Sequence, residues 1–99
     1  MADVELEVLG PGRFRVKGPL TFSTVTHVLA AGEKLFAEHD HLDLDLSGVD
    51  STDSAGLALL VEWVGWAHRE KRHLKFHHVP KQVIALAHIS EVDALLPMA

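Results

Sequence analysis

Four short stretches of this chain alternate apolar and polar residues: VELEV from Val4 to Val8, RFRVK from Arg13 to Lys17, HLDLDL from His41 to Leu46, and HLKFH from His73 to His77. A period of two marks half-buried β-strands, whose successive side chains point to opposite faces. One face of each stretch is apolar: Val4, Leu6 and Val8; Phe14 and Val16; Leu42, Leu44 and Leu46; Leu74 and Phe76. The other faces are almost wholly polar. A sheet covered on both sides is built from continuously apolar strands. This pattern instead predicts a four-stranded sheet with helices on one face and water, or a partner, on the other.

The polar faces also carry an order. Strand one offers Asp3, Glu5 and Glu7, strand two Arg13, Arg15 and Lys17, strand three His41, Asp43 and Asp45, and strand four His73, Lys75 and His77. Opposite charges across neighbouring strands contribute roughly 0.2–1 kcal/mol per pair, and like charges cost as much. The sequential order 1-2-3-4 sets acid beside base at every junction. Gly10, Pro11 and Gly12 make the first two strands a hairpin. The later strands then follow by right-handed crossovers, giving a mixed sheet in an α/β fold.

Helical spacing fills the gaps. Val25, Val28, Leu29, Leu35 and Phe36 predict a helix over residues 24–38, with Thr21 or Ser23 available as its cap. A second helix is expected from Ser54 to Glu70 after a loop, SGVDSTD. A third follows Pro80, with Val83, Leu86 and Ala87 inward, and the tail SEVDALLP predicts one or two further helical turns ended by Pro97. Ninety-nine residues at 47 % hydrophobic content suit one domain spanning residues 1–99 with one shared core.

The second helix has more apolar surface than a one-sided sheet requires. Leu57, Leu60, Val61, Val64 and Ala67 form the stripe that packs on the sheet, while Leu59, Trp63 and Trp66 form another, rotated away from it. Neighbouring helices can cover the second stripe. Alternatively it is a partner surface, since tryptophan is enriched at interaction hot spots.

Before that helix stands Ser51-Thr52-Asp53-Ser54. Asp53 or Ser54 is placed to cap the free N–H groups of the first turn, and Ala55 and Gly56 keep the turn small enough for another molecule to approach. A hydroxyl at a helix start is also a place for phosphate, but Asp50 and Asp53 would oppose the added charge. Phosphorylation of Ser54 would then repel an acidic or closely packed partner.

Other chemistry is poorly supported. There is no cysteine, which excludes disulfides and thiolate ligands and fits a reducing compartment. A formal charge of −5 argues against nucleic-acid binding. The basic run HREKRHLK, from His68 to Lys75, suits a helix C-terminus and the strand after it. No apolar run approaches the roughly 20 residues that span a bilayer, and the acidic start MADVELEVLG does not resemble a secretory signal. The eight histidines lie mostly on a flat sheet face, which does not converge on a metal. LGPGRF lacks the spacing of a phosphate loop. Ser54 has no histidine beside it in sequence and His88 would have to reach it by tertiary contact, so a catalytic triad is not indicated. The expectation is a cytoplasmic protein that is not an enzyme, with no metal and no cofactor.

DLSGVDSTDSAGLALLV resembles the signature of STAS domains, in which a strand leads through a loop into Asp-Ser/Thr-Ser/Gly/Ala-Gly-Leu at a helix start. Asp53, Ser54, Ala55, Gly56 and Leu57 match it position by position, and the hairpin, the GPL before the first helix and the closing strand and helix extend the similarity over nearly the whole chain. GLALLVEW and VDALLP look most like the MlaB group, small cytoplasmic subunits of phospholipid-transport ABC complexes tied to outer-membrane lipid asymmetry. That resemblance implies a non-catalytic subunit that binds the ATPase subunit (MlaF-like), and through it the permease, without inserting into the membrane. The surface it implies comprises Thr52, Asp53, Ser54, Ala55, Gly56, Leu59, Trp63 and Trp66. Serine at position 54 keeps a second group open, the bacterial anti-sigma factor antagonists, whose matching residue is phosphorylated by a kinase that is also the anti-sigma factor.

Overall fold

The structure is a computed structural model describing residues 3–99. Strands β1 (Glu5–Gly10), β2 (Arg13–Leu20), β3 (His41–Thr52) and β4 (His73–His77) form one sheet in the order β1-β2-β3-β4. β1 and β2 pair antiparallel, and β2–β3 and β3–β4 pair parallel. This is the mixed, sequentially ordered sheet that the charge columns predict.

Helices α1 (Val25–Phe36), α2 (Ser54–Arg69) and α3 (Lys81–Ile89) and a 3₁₀ turn (Asp93–Leu95) complete the fold. The apolar strand face supplies Phe14, Val16, Leu42, Leu44, Leu46, Leu74 and Phe76 to the core, all buried. Val8, expected inward, is 60 % exposed on edge strand β1. The polar face is open and wired across the strands. Arg15 reaches Glu7 of β1 and Asp45 of β3, each at 3.2 Å, His78 meets the same Asp45 at 3.1 Å, and His77 meets Asp43 at 2.7 Å.

Two expected boundaries move. SGVDST is not a loop: β3 continues to Thr52, paired with an extended β2 through Lys17↔Gly48, Gly18↔Val49 and Leu20↔Thr52 across two register shifts. Ladder hydrogen bonds hold this stretch although its side chains lack clean alternation. At the other end, the tail makes the single further helical turn, as a 3₁₀ turn that closes at Leu95, before Pro97. It then lies beside β4, where Phe76 donates to the carbonyl of Pro97 and accepts from Ala99, both at 2.9 Å. For α1 the N-cap is Thr24, whose side chain does not cap the helix; its hydroxyl accepts from the Thr21 N–H at 2.9 Å and donates to Pro19 at 2.7 Å.

The second stripe of α2 is covered chiefly by α1. Trp63 is fully buried, its indole N–H donating to the Leu29 carbonyl at 3.4 Å and its ring meeting Phe36 edge-on at 5.1 Å. Gly32 makes this crossing possible, because a Cβ there would lie 2.7 Å from the Trp63 ring. Trp66 is half-buried beside Phe36 at 6.0 Å.

Candidate functional site

β3 delivers the chain to α2 through two buried contacts. The Thr52 hydroxyl, 6 % exposed as a residue, donates to the Leu20 carbonyl of β2 at 2.9 Å. Gly56 packs against that same pair, and a side chain on it would collide with the Thr52 hydroxyl and the Leu20 carbonyl. The start of α2 is thereby pressed onto the ends of the two central strands, so Thr52 and Gly56 shape the site from beneath it.

Asp53 is the N-cap. One carboxylate oxygen accepts from the N–H groups of Ala55 (2.9 Å) and Gly56 (3.3 Å), and the other accepts from the N–H of Phe22 at 3.1 Å. The Phe22 bond is the largest influence on this carboxyl; desolvation opposes it, and with the two helix amides added the group is held below its ordinary range. One side chain thus joins the β2–α1 loop to the start of α2. Ser54 follows in the first helical turn and is exposed. Since Asp53 already occupies the amides of Ala55 and Gly56, a phosphate on Ser54 would add negative charge beside an existing carboxylate without gaining that pair of donors.

Next to this corner, an apolar groove of about 310 Å³ runs between the two helices. Phe22, Val25 and Leu29 form one wall and Ala55, Ala58 and Leu59 the other, with Glu62 on the rim. Phe22 is 82 % exposed, an unusual position for a large aromatic ring anchored by its own backbone bond to Asp53.

Of the residues singled out in sequence, Asp53, Ser54, Ala55 and Leu59 gather at this corner and groove, with Leu59 almost buried in its floor. Trp63 is corrected: it belongs to the α1–α2 core and offers no surface, because α1 lies over it. Trp66 sits further along α2, away from the residues that line the groove. Sequence reasoning missed Phe22, Ala58 and Glu62, and assigned Val25 and Leu29 only to packing. The available signal was Phe22 itself, an isolated aromatic residue in the polar segment TFST. His41 and His73 stack at 4.7 Å, and His77, His78 and His88 meet nearby acids; among the described residues no three His, Cys, Asp or Glu side chains group as a metal site. No helix among the described residues is long and apolar enough to cross a membrane.

Comparison with solved structures shows the same fold in very different sequences. The unphosphorylated anti-sigma factor antagonist SpoIIAA superposes with a TM-score of 0.71 at 13 % identity, covering 97 % of this chain and 87 % of that one. SLC26A9 matches with a TM-score of 0.63 at 16 % identity, over 90 % of this chain but 18 % of its own. The structure titled Mglu matches with a TM-score of 0.59 at 22 % identity, over 79 % of this chain and 20 % of its own. In the last two, the chain corresponds to about a fifth of a longer protein. No curated protein sequence matches. The family model described as the MlaB STAS domain matches residues 8–97, and the chain therefore belongs to the MlaB family of STAS domains, a non-catalytic regulatory class of module.

Proposed function

We propose that this protein is a non-catalytic subunit of a phospholipid-transport ABC complex that docks on the cytoplasmic ATPase subunit through the corner formed by the start of α2 and the β2–α1 loop. The observation carrying this reading is the apolar groove beside the signature, with Phe22 exposed on its wall and Ser54 and Ala58 exposed on α2. Exposed aromatic area next to small residues suits a protein partner that inserts an apolar side chain or a helix ridge. The site is not built for chemistry. Asp53 spends its carboxylate on three backbone N–H groups, so it is a structural anion, and among the described residues the histidine side-chain hydrogen bonds go to Asp43, Asp45 and Asp93, away from Ser54.

Family membership favours the ATPase as the partner. The test is co-expression with an MlaF-like ABC ATPase subunit from the same organism, followed by affinity purification and calorimetry. Phe22→Ala and Ala58→Glu are expected to weaken the complex at least about tenfold, in line with loss of an aromatic anchor and insertion of an unpaired charge into an apolar contact. Unchanged affinity in both variants would place the interface elsewhere.

A second reading has its own observation. Ser54 is exposed at the helix start, as a kinase would require, and the fold superposes on SpoIIAA, an anti-sigma factor antagonist. On this reading the partner is a kinase that is also the anti-sigma factor. Intact-mass analysis of the purified complex separates the two: an ABC ATPase with unmodified Ser54 supports transport, whereas a small kinase with phosphorylated Ser54 supports signalling.

A further inference from the structure

A second groove, of about 320 Å³, lies at the other end of α2, between the last turns of that helix, the outer edge of β4 and the C-terminal segment. Val64, Ala67 and Met98 make part of it apolar, and His68, Arg72, His73 and Lys75 line it with no acidic residue among them. The whole chain carries a formal −5 with histidines counted neutral, whereas the two formally charged residues that line this groove, Arg72 and Lys75, are both basic. Arg72 is fixed in place by the Asp40 carboxylate at 3.1 Å and the His39 carbonyl at 3.2 Å, while its Nε has no partner.

β4 closes the sheet order on this side, and its edge already accepts an extended segment once. Phe76 turns both backbone groups outward, to Pro97 and Ala99. His73 turns the opposite way, donating to Asp40 on the β3 side at 2.8 Å. Backbone groups alternate in direction along a strand, so Leu74 turns its N–H and C=O outward like Phe76, and Leu74 lines the groove. One rung of ladder and a basic rim therefore face the same space.

We propose that this groove is a second docking site, taking a short extended acidic segment of a partner protein as an added strand at Leu74, with its carboxylates against Lys75, His73 and Arg72. Main-chain bonds to Leu74 supply register, and the apolar floor takes alternate side chains. A lysine on an edge strand also discourages indiscriminate pairing, which here becomes selection: basic segments are repelled and acidic ones admitted. The site is independent of the Asp53–Ser54 corner, and its failure would leave the proposed ATPase interface untouched.

The test uses the whole protein and two labelled, end-blocked heptapeptides, one alternating glutamate with valine and one alternating lysine with valine. Fluorescence anisotropy is expected to show saturable binding of the glutamate peptide only. Lys75→Glu should weaken it about tenfold, the size expected when a rim charge is reversed; Lys75→Ala, a milder change at an exposed position, should weaken it less. Amide exchange followed by NMR should slow at Leu74 on saturation and stay unchanged at Lys75, which already faces β3. Equal binding of the two peptides, no binding of either, or binding that leaves the Leu74 amide unprotected would overturn the proposal. Capture of the protein on phosphatidylglycerol vesicles that depends on Lys75, without peptide binding, would assign the basic rim to a lipid surface instead.

Discussion

At the scale of residues, the best-defined feature is Asp53. Its role as a cap is legible in sequence, because an Asp before an apolar-periodic run satisfies first-turn amides better than most residues. Its bond to Phe22 is not legible, since the two lie 31 positions apart and meet only through the packing of β2 beside β3. Capping residues typically contribute about 1 kcal/mol, and here the cap also holds the loop that carries Phe22. Asp53→Ala is therefore expected to lower the urea midpoint and to weaken partner binding as well. Asp53→Asn keeps an acceptor for the helix amides and should retain most of the stability. If Asp53→Ala lowers stability but leaves Phe22→Ala-sensitive binding intact, the loop holds its position without the carboxylate.

At the scale of elements, the two apolar stripes of α2 are visible in the spacing of its residues, but their occupants are not. Hydropathy scores Gly32 as neutral, yet it is the residue that lets α1 settle over Trp63. The indole is consequently core, and the exposed aromatic area belongs to Phe22, on a loop where no periodicity marks it. β3 illustrates a second limit. Its last six residues, SGVDST, have turn-forming composition and no alternation, and they are strand because β2 supplies a ladder on one side. A long-range pairing can overrule local composition. Gly32→Val tests the crossing: its side chain would press on the Trp63 ring, and overpacking of this kind costs about 1–3 kcal/mol. In a Trp66→Phe background, where Trp63 is the lone indole, iodide quenching should rise as the helices separate. Unchanged quenching and stability would mean that the indole shifts within the core without cost.

At the scale of the whole molecule, the open sheet face is the part most fully written in the sequence. Alternating acid and base columns specify both which face is wet and the order of the strands, and the structure joins them through Arg15 and Asp45. Asp45 is the hub, with its side chain 18 % exposed and in contact with Arg15 and His78. Burial alone would raise its carboxyl; the backbone and hydroxyl of Ser47, His78 and Arg15 together outweigh that and hold it well below the ordinary carboxylate range. A carboxylate whose folded value lies below its unfolded value of 3.8 stabilises the fold at pH above that value. It loses that contribution as acid carries the solution down toward the folded value. The stability difference between the wild-type protein and Asp45→Asn should therefore be near its full size, about 2 kcal/mol, from pH 5 to 7 and shrink steadily below about pH 4. Urea titrations of both proteins between pH 2 and 7 measure it. A difference that stays constant down to pH 2 would show that Asp45 acts by shape and neutral hydrogen bonding, and that the charge columns order the strands without contributing to stability in acid.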